Sequence, residues 1–246
     1  MAQKIITFAN HKGGVSKTTS TASIGACMAK KGKKVLLIDL DGQANLTLYF
    51  IPNEISIFDS LVNGVPLPVK HIRENLDLVP SSLEMASAEI ALTNLLARER
   101  LLSNLLEPLR KDYDYILIDC PPSLGIVTTN AFIAADEIIV PMTPELLPLK
   151  GMRMLDAFVT TLQRVKPSLR LGGVFIARFN HRKLNKVVEQ AVKERYESIT
   201  MNTRIRENIA LAESAGSGKS IFEYDSNSNG AKDYLALTEE ILSRNQ

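Results

Sequence analysis

The chain has 246 residues, 45% hydrophobic and 23% charged, enough apolar material for one α/β domain around a single core, which excludes a disordered or fibrous protein. Lys+Arg 29 against Asp+Glu 27 gives a formal net charge of +2, so nothing global marks a protein that coats nucleic acid or an anionic membrane, and any such role must come from a local patch. Cys27 and Cys120 lie far apart in sequence and no Cys/His group has metal-ligand spacing, which argues against a disulfide framework or a structural zinc site and suits a reducing cytoplasm. The run from Ile5 to Ala9 is shorter than a signal-peptide core, and no stretch approaches the ~20 apolar residues of a membrane span, so a soluble cytoplasmic chain is expected.

In chain order, short β-branched runs alternate with longer helical patterns, the signature of a parallel sheet with crossover helices. Strands are expected at Lys4 to Ala9, Lys34 to Asp39, Leu76 to Pro80, Tyr115 to Asp119, Glu137 to Pro141 and Gly173 to Phe179. Several are continuous apolar runs, as strands buried on both faces require. Helices are expected near Thr18 to Lys31, Ile57 to Val62, Ser87 to Leu106, Thr128 to Ala134, Lys150 to Val165, Leu184 to Tyr196 and Lys232 to Ser243, with Pro108 stopping the third. The expected fold is a single α/β domain over residues 1–246, a doubly wound, mostly parallel sheet flanked by helices on both faces, with its functional loops at the carboxyl ends of the strands.

The first such loop is His11-Lys12-Gly13-Gly14-Val15-Ser16-Lys17-Thr18-Thr19, where the first strand ends and a helix begins. Adjacent glycines let successive backbone N–H groups converge on phosphate oxygens, and the following helix aims its positive dipole end at the same point. Lys17 would reach the β and γ phosphates of a nucleotide and the Thr18 hydroxyl would bind Mg²⁺. The pattern G-x-x-x-x-G-K-[ST] is not met at His11 and Ser16, where it asks for glycine. A second G-K-S, at Gly216-Ser217-Gly218-Lys219-Ser220, has Glu213 at the first glycine position and no strand leading into it, and reads as a turn.

Two further strand ends carry acids: Asp39 and Asp41 in Asp39-Leu40-Asp41-Gly42-Gln43-Ala44-Asn45, and Asp119 in Asp119-Cys120-Pro121-Pro122. Strand-end aspartates often cap turns or helices. Two such ends in this order after a phosphate loop point instead to a metal and nucleotide site, where a carboxylate holds Mg²⁺ through water or orients a water for in-line attack.

The arrangement K-G-G-x-x-K-T-T, with Lys12 beside the glycine pair, resembles the deviant Walker A loop of the ParA/MinD family of ATPases. The acidic segments resemble that family's D-x-D-x-Q-x-N and D-x-P-P motifs. The resemblance implies ATP and Mg²⁺ as cofactors, an ATP-dependent homodimer, and nucleotide contacts from Lys12, Gly13, Gly14, Val15, Ser16, Lys17, Thr18 and Thr19. It implies that Lys12 reaches the phosphates bound to the partner subunit, that Asp41 positions the attacking water, and that Asp39 and Asp119 serve the metal with Thr18. Ser16 departs from the family's glycine, and a non-glycine residue held at positive φ there costs on the order of 1 kcal/mol. Pro141-Met142-Thr143-Pro144-Glu145 resembles the loop whose glutamate assists ribose recognition, and Arg178-Phe179-Asn180 the loop that reads adenine; Glu145 equally suits a helix N-terminus and Asn180 a turn.

From Arg178 to Arg206 the chain carries eight Lys/Arg and three acids, about +5 locally against about −3 elsewhere. At ~100° per residue, a helix from Leu184 puts Leu184, Val187, Val188 and Ala191 on one face and Lys186 and Lys193 opposite, with Lys183 on the flank. Such a stripe suits sequence-independent phosphate contacts, and Lys183, Lys186, Lys193, Arg204 and Arg206 are the DNA-binding candidates; an ordinary solvated face is the alternative. The segment Thr203 to Glu213 also resembles a C-terminal segment of ParA proteins.

The leading expectation is therefore a ParA-like ATPase for plasmid or chromosome partitioning, a slow ATP hydrolase on the nucleoid, stimulated by a ParB-like centromere-binding partner. The alternative is a MinD-like membrane-cycling regulator of cell division. That reading needs a basic amphipathic last helix, whereas Lys232 to Gln246 sets two basic residues against three acids. An iron-protein type of electron-transfer ATPase needs cysteines at a dimer axis, which Cys27 and Cys120 do not suit.

Overall fold

The computed structural model describes residues 3–52, 55–144, 148–180 and 182–245. Its centre is a seven-stranded sheet, order β3-β4-β2-β5-β1-β6-β7. The strands are β1 (Lys4–Phe8), β2 (Val35–Asp39), β3 (Lys70–Arg73), β4 (Leu76–Val79), β5 (Tyr115–Asp119), β6 (Glu137–Met142) and β7 (Leu171–Ile176). All neighbours are parallel except β3, which pairs antiparallel with β4 at the edge. This edge strand was not expected from the sequence: its exposed Lys70 and His71 break the apolar signal that marks the buried strands, and a hairpin turn at Asn75 (φ 59) supplies the register.

The helices are α1 (Lys17–Lys30), α2 (Asn45–Phe50), α3 (Phe58–Asn63), α4 (Ala88–Ala91), α5 (Leu101–Leu106), α6 (Ile126–Ala134), α7 (Pro148–Leu162), α8 (Lys183–Tyr196), α9 (Ala210–Gly216), α10 (Ile221–Tyr224) and α11 (Asn229–Arg244). Alternate strand residues feed two cores. Ile6, Phe8 and Leu37 pack with Ile24 and Met28 of α1 and Tyr234 and Leu237 of α11. Ile5, Leu36 and Ile118 face the other way, onto α5, α6, α7 and α8. The expected α/β architecture with helices on both faces is what forms.

Three local expectations change. The helix expected from Ser87 to Leu106 is broken into a 3₁₀ turn at Leu83–Ser87, α4, and α5, with Ala97 at φ 50 between them. A side chain of α6 takes bonds from this backbone, Asn130 accepting from the Leu102 N–H (3.1 Å) and donating to the Arg98 carbonyl (2.7 Å), while Glu89 of α4 is turned to α6 and accepts from the Ile126 N–H at 2.8 Å. Ile90 and Leu96 are left exposed. Pro108 does follow the end of α5, starting a 3₁₀ turn over Glu107–Asp112.

Strand β7 ends at Ile176 rather than Phe179, because Arg178 turns left-handed at φ 53. Helix α8 is rotated from its expected face: Asn185, Val188, Glu189, Val192 and Tyr196 are buried, while Leu184 and Val187 are exposed. The expected turn at Gly216 to Ser220 forms, with Gly218 at φ 68 and Ser220 capping α10 through a reciprocal pair with Glu223.

Candidate nucleotide site

The carboxyl ends of β1, β2 and β5 are adjacent, with Phe8 opposite Asp119 and Asp39 opposite Asp119 in register. Parallel strands make this convergence inevitable once the phosphate loop and the two acidic ends follow β1, β2 and β5. Between them opens a cleft of about 580 Å³, bordered by the phosphate loop, Asp41, Gln43 and Asn45, Pro122 and Arg178.

The phosphate loop curls through two left-handed residues, Gly14 at φ 72 and Ser16 at φ 71, ψ 26. The non-glycine residue expected to be strained does sit in that region. Nothing lies within 4 Å of the position a Cβ would take on Gly13 or Gly14, so the backbone itself faces open space. Lys17 is buried and its Nζ donates to the Lys12 carbonyl at 3.3 Å, folding the side chain back over the loop. Asn10, which sequence reading passed over, ties the loop down: its Oδ1 accepts from the Lys12 N–H (3.1 Å) and its Nδ2 donates to the Pro141 carbonyl (2.9 Å) at the end of β6.

Thr18 Oγ1 donates to Asp119 Oδ2 at 2.6 Å. The other carboxylate oxygen, Oδ1, is buried without a hydrogen-bond partner. Burial raises the Asp119 pKa well above the carboxylate range, and the neighbouring Asp39 charge pushes it the same way, against the opposing pull of Thr18 and Lys17. An orphaned carboxylate oxygen beside a hydroxyl is a donor set that suits a hard divalent cation such as Mg²⁺. The described residues hold no group of three or more His, Cys, Asp or Glu side chains arranged for a metal. Phosphate oxygens and water would therefore complete any Mg²⁺ shell here.

Asp39 has a different environment. Oδ2 accepts from both the N–H and the Oγ1 of Thr47 at 2.8 Å, and Oδ1 accepts from the Asp41 N–H at 3.1 Å. Desolvation raises its pKa to about 6 even against these bonds. Both oxygens of Asp39 are thus hydrogen-bonded within the protein, and these bonds hold the loop that carries Asp41. Ser81 completes that brace, its N–H bonding Thr47 Oγ1 (2.8 Å) and its hydroxyl the Asp41 carbonyl (2.7 Å). Asp41 borders the cleft, and among the described residues its carboxylate accepts from the Gln43 N–H (3.0 Å) alone.

On the rim, Arg178 borders the cleft and reaches Glu207 at 3.7 Å. Asn180 precedes α8 and bonds into its start: its N–H donates to Asn185 Oδ1 (2.9 Å) and its Oδ1 accepts from the Arg182 N–H (3.3 Å). Glu145 lies outside the described residues.

The five expected DNA contacts divide. Arg204 and Lys193 both bind the buried carboxylate of Glu189, at 2.7 and 2.9 Å, and Arg204 also stacks over the Phe179 ring. Arg206 forms a forked pair with Asp233 of α11, down to 2.6 Å. Arg206 thus ties the segment after β7 to α11, while Arg204 and Lys193 are paired within that segment through Glu189. Lys183 and Lys186 are exposed in the first turn of α8 and, among the described residues, make no ion pair.

Cys27 and Cys120 are both buried, and burial raises both thiols, so neither is placed to share a cluster between subunits. The apolar face of α11, with Tyr234, Leu237 and Ile241, is packed into the core beside α1. No helix among the described residues is long and apolar enough to cross a membrane.

The family model described as an AAA domain matches residues 3–171. The sporulation initiation inhibitor protein Soj of Bacillus subtilis (strain 168) is 38% identical over 98% of both chains. The chromosome partitioning protein ParA of Myxococcus xanthus is 35% identical over 98% of this chain and 88% of that one. Among solved structures, a plasmid partition protein from Borrelia burgdorferi B31 bound to AMPPNP superposes with a TM-score of 0.84 at 29% identity, covering 98% of each chain. A cobyrinic acid a,c-diamide synthase from Mycobacterium smegmatis with bound ATP analog and magnesium gives 0.85 at 31% identity, covering 98% of this chain and 94% of that one.

Proposed function

The chain belongs to the ParA family of partition ATPases, and from that premise we propose that it is a slow ATPase that moves DNA by an ATP-gated dimer cycle. The observation that carries this reading is the Thr18–Asp119 pair with its orphaned carboxylate oxygen, set beside Lys17 and Asp41 in one cleft.

ATP would lie along the phosphate loop, its β and γ phosphates met by backbone N–H groups from Gly13 to Thr19 and by Lys17. Thr18 and Asp119 would hold Mg²⁺, which supplies charge neutralisation of the phosphates. Asp41, braced through Asp39, Thr47 and Ser81, orders the attacking water. Lys12 is exposed at the mouth of the loop, where it can meet the phosphates bound to a second copy. A contact of that kind to the γ phosphate gives ATP, and not ADP, a preference for the dimer. No acceptor other than water is required of the site.

The dimer binds double-stranded DNA without sequence preference through Lys183 and Lys186, and is cytoplasmic and nucleoid-associated. Two lysines in the first turn of a helix oppose its dipole, a local cost of a few tenths of a kcal/mol to about 1 kcal/mol that an anionic partner would reverse. A ParB-like protein stimulates hydrolysis and release. The apolar face of α11 is packed into the core, which favours the DNA cycle over a membrane-cycling one.

The reading is tested by hydrolysis of ATP by the purified chain, alone and with duplex DNA and a centromere-binding partner. Turnover that is slow alone and rises with both supports it. Vigorous hydrolysis without either contradicts it.

A further inference from the structure

We propose that Ser20 and Tyr234 form a buried hydroxyl clamp that holds the phosphate loop in its left-handed turn at Ser16, making Tyr234 of the last helix a positioning residue for the nucleotide. The inference rests on the reading of this loop as a nucleotide site. It adds to it a residue more than two hundred positions away in the chain.

Ser16 is the residue just before α1, and its carbonyl accepts twice from Ser20: from the N–H at 2.9 Å and from the hydroxyl at 2.6 Å. A serine hydroxyl has one proton. Since Ser20 gives it to Ser16, the 2.9 Å contact between Ser20 Oγ and the Tyr234 hydroxyl must have tyrosine as donor. Ser20 and Tyr234 are both fully buried, so water cannot replace either bond. Burial raises the Tyr234 phenol, which keeps it protonated and a donor throughout the working range.

The geometry explains why such a clamp belongs here. In a planar trans peptide the carbonyl and the next N–H point in opposite directions. Holding the Ser16 carbonyl against α1 therefore turns the Lys17 N–H toward the cleft that both residues border. Glycine would adopt φ 71 without strain, whereas serine carries a Cβ that disfavours it. A doubly bonded carbonyl offsets that preference. The helix carrying Tyr234 is itself fixed, because the adjacent Asp233 takes the Arg206 backbone N–H (2.9 Å) and its guanidinium.

The test is a double-mutant cycle on the full chain, titrating a fluorescent ATP analogue with Mg²⁺ and recording thermal unfolding without nucleotide. Tyr234→Phe keeps the ring and removes only the donor; it is expected to weaken binding about three- to tenfold in the natural chain, the range of one hydrogen bond. In a Ser16→Gly background, where the turn needs no support, the same change is expected to cost less than about twofold. Ser20→Ala, a second way of opening the clamp, should behave as Tyr234→Phe does. A residue with only a packing role would shift unfolding equally in both backgrounds and leave affinity alone. Unchanged affinity in Tyr234→Phe and Ser20→Ala, or an equal loss with Ser16 and with Gly at that position, overturns the clamp. Failure of the natural chain to bind the analogue overturns the nucleotide reading itself, and is seen before any variant is compared.

Discussion

Thr18 and Asp119, from α1 and the end of β5, meet at 2.6 Å while the second Asp119 oxygen stays buried and unpaired. A buried carboxylate oxygen without a donor costs on the order of 1–3 kcal/mol. A bound cation would offset that cost, which is why the proposed cycle places Mg²⁺ on this pair. Mg²⁺ is therefore expected to tighten ATP-analogue binding in the natural chain. In Thr18→Val and Asp119→Asn that enhancement should fall about tenfold or more, as in a site that has lost one of its few oxygen ligands. Titration of the analogue with and without EDTA reads this directly. An undiminished Mg²⁺ effect in both variants would place the cation elsewhere.

In the proposed cycle, Asp41 would separate binding from chemistry. Its carboxylate borders the cleft and has one oxygen uncommitted to the backbone. Asp41→Ala should leave affinity for the ATP analogue within about threefold and slow hydrolysis by about a hundredfold, the scale of a lost water-orienting group. Single-turnover hydrolysis beside equilibrium binding distinguishes the two effects.

Thr47 carries three hydrogen bonds in the brace beneath Asp41, donating to Asp39 and accepting from Ser81 through its hydroxyl and using its N–H on Asp39 as well. Thr47→Val removes the hydroxyl and keeps the shape. The loss leaves the Ser81 N–H without its acceptor and Asp39 short of a donor, so folding stability should drop by about 2–3 kcal/mol in denaturant titration. Hydrolysis should fall with it, because the loop holding Asp41 loses its anchor.

The basic residues are expected to split by the bonds they already make. Charge reversal at Lys183 and Lys186 should weaken duplex binding and flatten its dependence on salt, while stability holds or rises by up to about 1 kcal/mol as acids replace lysines at the start of α8. Arg206→Ala should instead destabilise the fold, since it strips a forked partner from Asp233, half of a pair that fixes α11. Fluorescence anisotropy against salt, paired with denaturation curves, sorts the five.

Much of this site was legible before any coordinates, because its signals are local. Lys12 to Thr19 and the acids after β2 and β5 are short motifs at strand ends, and parallel topology brings such ends together without further information. What could not be read depends on residues far apart in the chain. Nothing near Thr47 announces that it serves Asp39, and nothing near Tyr234 announces Ser20. Helix α8 shows the same limit: its apolar periodicity points to Leu184, Val187, Val188 and Ala191, of which Val188 is buried, but the buried Glu189, paired with Lys193 and Arg204, lies on an inward face that also takes Val192 and leaves Leu184 and Val187 exposed. The broken helix after Ser82 has a related cause, since the Asn130 side chain takes backbone bonds at Arg98 and Leu102 that periodicity assigns to a continuous helix. The edge strand β3 was missed because an exposed antiparallel strand has no buried run to betray it.

The central claim is that ATP joins two copies into the form that binds DNA. Its most direct test is duplex binding by the natural chain and by Lys12→Ala with ATP, with ADP and without nucleotide. The account predicts binding that requires ATP in the natural chain, is lost with ADP, and fails in Lys12→Ala. DNA affinity that ignores the nucleotide and survives the loss of Lys12 would contradict it.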